Sequence, residues 1–383
     1  MENKNYSVPK SFDPPTDVTK NSKVRSFCKN LKLKLWQKPY KKRLAIIAGF
    51  GIGSLIATGY LLYNYGPKSP EPNPVPEVVS NYTPPPTTKA SPLTGVQVEP
   101  ALAERAVTGI MIENSMDARP QSGLVDAGVV FEAIAEGGIT RFLALFQEAQ
   151  PDYIGPIRSA RPYYVRWAAG FDAAYVHSGG SGEALSLIRT LGVKDMDHGN
   201  FPDTFDRISN RYAPHNVYTS MARLDALRAE KGFTKSEFTP FTRATEETPA
   251  TNGEPANNIE FTISSKLYNT SYVYNTETKS YARNLAGTPH IDEKSGKQIS
   301  PNVVIALIAN YSFHPDGVHS VYDNVGSGKV LVFQNGTVAE GTWHKDSDTS
   351  SLSFKQTDGS PLVLATGQTW ITAVPEGRVS FSP

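Results

Sequence analysis

The sequence predicts an α/β or α+β domain followed by a mostly β domain, both carried behind a single N-terminal transmembrane helix. Three observations point there. Leu44 to Tyr65 is a run of 22 residues without a charge, residues 93–234 alternate strand-like and helix-like apolar patterns, and residues 257–383 become short runs separated by turn signals. The expected organisation is a basic cytoplasmic arm (1–43), the apolar helix (44–65), a proline-rich extended segment (66–92), the first domain (93–234), a linker rich in Thr, Glu and Pro (235–256) and the second domain (257–383).

At about 1.5 Å per residue, Leu44 to Tyr65 reaches roughly 33 Å, enough to cross a hydrocarbon core of about 30 Å. Lys38, Lys41, Lys42 and Arg43 abut its start, whereas only Lys68 lies near its far end. The positive-inside rule therefore places the N-terminus in the cytoplasm and both domains outside the cell membrane. Trp36, Tyr40, Tyr60, Tyr63 and Tyr65 suit interfacial belts. The run is too long for a signal peptide and no small-x-small cleavage site follows, so it is expected to stay as an anchor. Cys28 precedes the span and cannot be a lipid-bearing cysteine, and no disulfide can form in the exported part.

The chain carries 38 Lys and Arg against 37 Asp and Glu, yet residues 1–43 hold 12 of those bases and only 3 of the acids. A basic head on an acidic body fits a membrane-oriented protein and excludes a nucleic-acid binder whose folded part is basic. Gly66 to Pro92 has 9 prolines in 27 residues and reads as an extended stalk.

In the first domain the pattern predicts strands over Val107–Ile112, Val129–Glu136, Thr140–Glu148, Asp172–His177 and Asn216–Tyr218, with helices over Arg158–Gly170, Glu183–Leu191 and Met221–Lys231. In the second, strands are expected over Ile259–Ile263, Tyr272–Tyr274, Val303–Ala309, Lys329–Phe333 and Trp370–Ala373, with hairpin turns at Asn335-Gly336 and Asp358-Gly359.

Several constellations could carry chemistry. Gly137-Gly138 reads as a two-residue hairpin turn pairing Glu136 with Ile139, Ile134 with Arg141 and Glu132 with Leu143. That register puts Glu132, Glu136 and Arg141 on one face, either as an acid-base carboxylate pair beside a cation or as a structural ion pair. In Gly155 to Trp167, a helix capped by Ser159 would place Arg158 and Arg161 at its N-terminus. Helix N-termini favour anions, so two arginines there predict a shared anion, supplied by a ligand or by Glu132 or Glu136. His177-Ser178-Gly179-Gly180-Ser181-Gly182 is a glycine-rich strand-to-helix turn whose backbone donors could face an anion, with His177 as a second acid-base candidate. Arg211, His215 and Asn216 could join this site or simply tie down their loop. Asp195, Asp197 and His198 read as a solvated loop. No metal is expected, since the seven histidines form no paired-ligand spacing, and no cofactor is expected, since no Walker loop is present.

Ala118 to Gln147, GPIRSARPYYVRWA, HSGGS and APHNVY resemble, in that order, the N-terminal domain of the YerB family of bacterial envelope lipoproteins. Gly287 to Ala306, Val325 to Lys345 and Gly367 to Ile371 are similar to its C-terminal domain. The resemblance implies an envelope location and a two-domain architecture for residues 93–383, and it implies no catalytic role because the family's function is unknown. Typical members are lipid-anchored, and this chain departs from them by its uncleaved helix. The functional expectation is an outward-facing protein that binds, or binds and cleaves, an anionic cell-envelope glycan or phosphorylated polymer through an Arg-rich pocket. The alternative is a non-enzymatic scaffold that binds an envelope protein and uses its arginines to hold the fold.

Overall fold

The computed structural model describes residues 41–66 and 87–383, with side chains in the first helix described from Gly53 onward. The basic arm through residue 40, Cys28 and residues 67–86 of the proline-rich segment lie outside the described residues. Two units are separate: one holds helix α1 (Lys41–Tyr65), the other begins at Thr83. Among the described residues no helix is long and apolar enough to cross a membrane. The part of α1 with described side chains, residues 53–65, rises only about 20 Å.

In the second unit, strands β1 (Thr108–Glu113), β2 (Val129–Glu136), β3 (Ile139–Phe146), β4 (Ala174–His177) and β5 (Lys194–Asp197) come from the first domain. Helices α2 (Pro162–Ala169), α3 (Gly182–Leu191) and α4 (Met221–Lys231) accompany them. The second domain supplies β6 (Asn258–Phe261), β7 (Thr270–Asn275), β8 (Ser280–Leu285), β9 (Val303–Ile308), β10 (Gly326–Gln334), β11 (Thr337–Lys345), β12 (Thr369–Val374) and β13 (Val379–Ser382). The result is mostly β with some helices.

One sheet runs through both domains in the order β11-β10-β9-β12-β2-β3-β1-β4-β5. The seam is β12, near the end of the chain, which pairs in parallel with β9 on one side and with Val129–Glu132 of β2 on the other. A parallel strand between two neighbours must be covered on both faces, and every residue of β12 is buried. On one face, Trp167 of α2 stacks on Phe131 with ring centroids 4.9 Å apart. On the other, a second sheet of order β8-β7-β6-β13, extended by Thr288–Pro289, brings Arg283 and His290 over Phe142 and Trp370. Segment 235–256 packs as well, burying Phe241, while Arg243 donates to the carbonyls of Leu93 and Ala365.

The predicted hairpins at Gly137-Gly138 and Asn335-Gly336 form as tight turns, and at Asp358-Gly359 Lys355 bridges Pro361 across a wider one. Glu136 pairs with Ile139 around Gly137 and Gly138, and Gln334 pairs with Thr337 around Asn335 and Gly336, all four turn residues having positive φ. That conformation is the one such turns require. Strand β5 was not expected, because Lys194–Asp197 is charged and short. Helix α2 starts at Pro162, so Arg161 rather than Ser159 is its N-cap residue, and residues 158–160 instead run alongside the glycine-rich turn.

Between the two sheets lies a closed ring of hydrogen-bonded side chains. Arg283 Nη2 donates to Glu132 Oε2 (2.9 Å), and Glu132 Oε1 accepts from the Thr140 hydroxyl (3.1 Å). Asn114 Nδ2 donates to Thr140 (2.6 Å), and Asn114 Oδ1 accepts from Gln121 (2.9 Å). His290 Nε2 meets Gln121 Oε1 (3.0 Å), and its Nδ1 accepts from Arg283 Nε (3.0 Å), which closes the circuit. Arg283 can only donate, so His290 carries its proton on Nε2. Trp370 and Tyr272 add bonds to Glu132 and Arg283 respectively. Burial first, then Arg283 and Arg119, push the His290 ring well below the usual imidazole range.

Two outcomes follow for stability. Glu132→Ala strands Arg283 in the core and is expected to cost about 3–5 kcal/mol in urea unfolding, whereas Glu132→Leu combined with Arg283→Met should recover most of that loss. His290 stays neutral when folded, so below about pH 6.5 the unfolded chain binds a proton that the folded chain does not, and stability falls with falling pH. Unfolding midpoints at pH 7.5 and 5.5 should show this decline, and His290→Gln, which keeps one acceptor and one donor, should flatten it.

Candidate functional site

The predicted site residues fall into three separate groups. The first separation arises from a β-bulge. Glu136 pairs with Ile139 as expected, but the register shifts between Ile134 and Glu136, so Ile134 faces Thr140, Ala133 faces Arg141 and Glu132 faces Phe142. The one-residue slip turns Glu132 to the opposite face of the sheet from Arg141. Glu132 therefore belongs to the inter-sheet ring, fully buried, and the expected trio of Glu132, Glu136 and Arg141 does not form.

Glu136 and Arg141 remain together and gain Arg161. Arg141 Nη2 lies 2.5 Å from Glu136 Oε1, and Arg161 Nη2 lies 2.7 Å from Oε2. The second donors of the two guanidinium groups go to the carbonyls of Ser159 and Ala160. The anion at this helix start is thus the protein's own carboxylate. Burial works to raise the Glu136 carboxyl, but Arg141 and Arg161 outweigh it and hold the group below the usual carboxylate range. A carboxyl kept ionised in this way is a poor general acid at neutral pH.

Three N–H groups of the glycine-rich turn are also taken up internally. Ser178 N donates to Arg158 O, Gly179 N to Asp197 Oδ1 (2.8 Å) and Ser181 N to Ala160 O. Ser181 caps α3 by accepting from Ala184 N, and Gly180 bridges to Ala160. His177 is wholly buried, with Nε2 2.9 Å from Asp195 Oδ1 and Nδ1 2.8 Å from Gly179 O. Both ring nitrogens thus face oxygen acceptors, and no face of the ring reaches a substrate. Ser178 contacts His198 Nδ1 at 3.2 Å. Asp195, Asp197 and His198 are therefore the clasp of this turn, not a solvated loop.

The third group centres on Glu113, which sequence reasoning missed. It is buried at the end of β1 and receives Ser115 Oγ (2.9 Å) and His215 Nδ1 (3.0 Å), while Arg158 Nε stands 3.2 Å away without an aligned hydrogen bond. Its signal was present: an acid directly follows the apolar run Gly109–Ile112. Arg211 pairs with Glu293 (3.2 Å) and donates to Pro120 O, and Asn216 bonds Arg207 and Ile208 O. These contacts tie down the loop, one of the two roles expected for it.

Among the described residues, two open hollows border the start of α3. A small one of about 200 Å³ is lined by Arg161, Ser181, Glu183, His314, Asp316 and His319. A larger polar groove of about 1070 Å³ lies where the two domains meet, between Arg166 and Glu183 on one side and residues 308–329 on the other.

Residues 93–234 match the family described as "Protein of unknown function (DUF3048) N-terminal domain", and residues 259–371 match the corresponding C-terminal domain. The chain is 34% identical over 289 residues to a protein of Bacillus subtilis (strain 168) named "Putative lipoprotein YerB", a span of 75% of this chain and 86% of that one. It also resembles the crystal structure of YerB protein from Bacillus subtilis, with a TM-score of 0.69 and 32% identity over 77% of this chain and 100% of that chain.

Because Glu136 is the one carboxylate paired with Arg141 and Arg161 among the described residues, Glu136→Gln should lower stability by about 3 kcal/mol at pH 7. Its folded carboxyl titrates below the unfolded one, so its contribution is complete above about pH 4.3 and fades as pH falls through the folded value. Acid unfolding followed by fluorescence should accordingly show a shallower transition in the variant than in the parent.

Proposed function

The chain belongs to the YerB family of two-domain DUF3048 proteins, and from that premise we propose that it is a non-catalytic binding protein of the bacterial envelope, anchored in the membrane with its folded unit outside. One observation carries the non-catalytic part: every carboxylate and histidine singled out as an acid or base is occupied by a cation or sealed in the core. Glu132 holds Arg283, Glu136 holds Arg141 and Arg161, and His177 is enclosed between Asp195 and Gly179.

The anchor is supported by the sequence of Leu44 to Tyr65 and by the cluster of bases before it. In the described part of α1, Leu55, Ile56, Leu61 and Leu62 are all exposed. A helix with apolar side chains on all sides suits lipid better than water. The relative's name, a lipoprotein, supports the same envelope location by a different attachment.

A second reading is favoured by the small hollow. There Arg161, the start of α3, His314 and His319 could still receive a phosphate or carboxylate of an envelope glycan, although Glu136 already pairs with Arg161 and Asp316 already contacts both imidazoles.

Carbonate extraction should leave the full-length chain in the membrane fraction, and deleting Leu44–Tyr65 should release it; release of the intact chain would contradict the anchor. Incubating the chain with cell-wall material should give co-sedimentation without soluble products. Arg158→Ala and Arg161→Ala should lower the melting temperature while leaving co-sedimentation unchanged. Lost co-sedimentation with an unchanged melting temperature would instead select the anion-binding reading.

A further inference from the structure

The larger groove has the opposite charge from the site that the sequence suggested. Arg166 is matched by Asp348 at 2.9 Å and Lys329 by Glu340 at 2.8 Å. Glu183, Asp323 and Glu376 also line the groove, are exposed, and form no ion pair among the described residues. The unbalanced charge is therefore negative.

A second observation is independent of charge. Asn324 lines the groove and is only 2% exposed. Its Nδ2 donates to Tyr163 O at 2.9 Å, which fixes the amide orientation and leaves Oδ1 without a partner. A buried unpaired acceptor costs about 1–3 kcal/mol, a cost that a donor reaching this oxygen from the groove would remove.

The third observation is the backbone. Strand β10 pairs with β11 along its whole length, but its ladder with β9 stops at Leu307 and Val330. Residues 326–329, Gly-Ser-Gly-Lys, thus keep one edge free, and that edge lines the groove. At about 3.3 Å per residue it offers roughly 13 Å, enough to pair a short extended segment.

We propose that this groove binds a short extended peptide carrying protonated amines, added as a strand beside residues 326–329. The main chain of the peptide bonds the free edge, and its ammonium groups meet Asp323, Glu376 and Glu183. Asn324 Oδ1 accepts one of its N–H groups. The proposal rests on the envelope-binding reading above and names the ligand class for it.

The test is calorimetric titration of the full-length chain in detergent micelles with acetyl-Val-Lys-Val-Lys-Val-amide. Saturable binding is expected, weakened about tenfold in the Asp323→Asn, Glu376→Gln double variant at unchanged melting temperature. The same peptide with N-methylated backbone amides, and its counterpart with Glu in place of Lys, should not bind. Absence of saturable binding, equal binding of the Glu peptide, undiminished binding of the N-methylated one, or preference for a chitosan hexamer over the Lys peptide would each overturn the proposal. Co-sedimentation with cell-wall material in the absence of peptide binding would overturn the groove assignment alone and leave the envelope-binding reading standing.

Discussion

The ion pair between Glu132 and Arg283 is the constraint around which the unit is arranged. Two fully buried opposite charges must be desolvated together, and their mutual attraction compensates only when the remaining donors and acceptors also find partners. The ring through Thr140, Asn114, Gln121 and His290 supplies those partners from both domains. Trp370 adds its indole N–H to Glu132 and its ring face to Arg283, whose guanidinium carbon lies 4.2 Å from the ring centroid. Because Glu132, Arg283 and Trp370 lie far apart along the chain, closing this ring requires both domains to be in place.

The same requirement explains the seam in the main sheet. A strand near the end of the chain enters between β9 and β2, so the two family domains share hydrogen bonds as well as apolar surface. They are distinct as sequence families and continuous as a fold. The groove lies at their junction, with Arg166 and Glu183 from one domain and β10 from the other, so its walls exist only when the domains are joined.

The bulge at Ala135 divides the polar chemistry between two faces. On one, Glu132 serves cohesion between the sheets; on the other, Glu136 binds the arginine that begins α2. Arginines at a helix start do need an anion, and that physical argument holds. Its answer here is the protein's own Glu136, which pairs with both Arg141 and Arg161 while the carbonyls of Ser159 and Ala160 take their remaining donors. The uncompensated acids lie along the groove.

Much was legible in the residues alone. The strand Val129–Glu136, helix Met221–Lys231 and the hairpins at Gly137-Gly138 and Asn335-Gly336 follow from local patterning and turn chemistry, because each depends only on neighbours in the chain. Residues 158–161 and 177–181 do meet, as their helix-start and glycine signals implied. What the tertiary structure decided was partnership. The bulge left no mark in the hairpin's residue pattern, and Glu113 beneath His215, Arg283 opposite Glu132 and Asn324 on the carbonyl of Tyr163 are contacts across more than a hundred residues. A charge shows in sequence that it needs a counter-charge, but only the packed fold selects which one it meets.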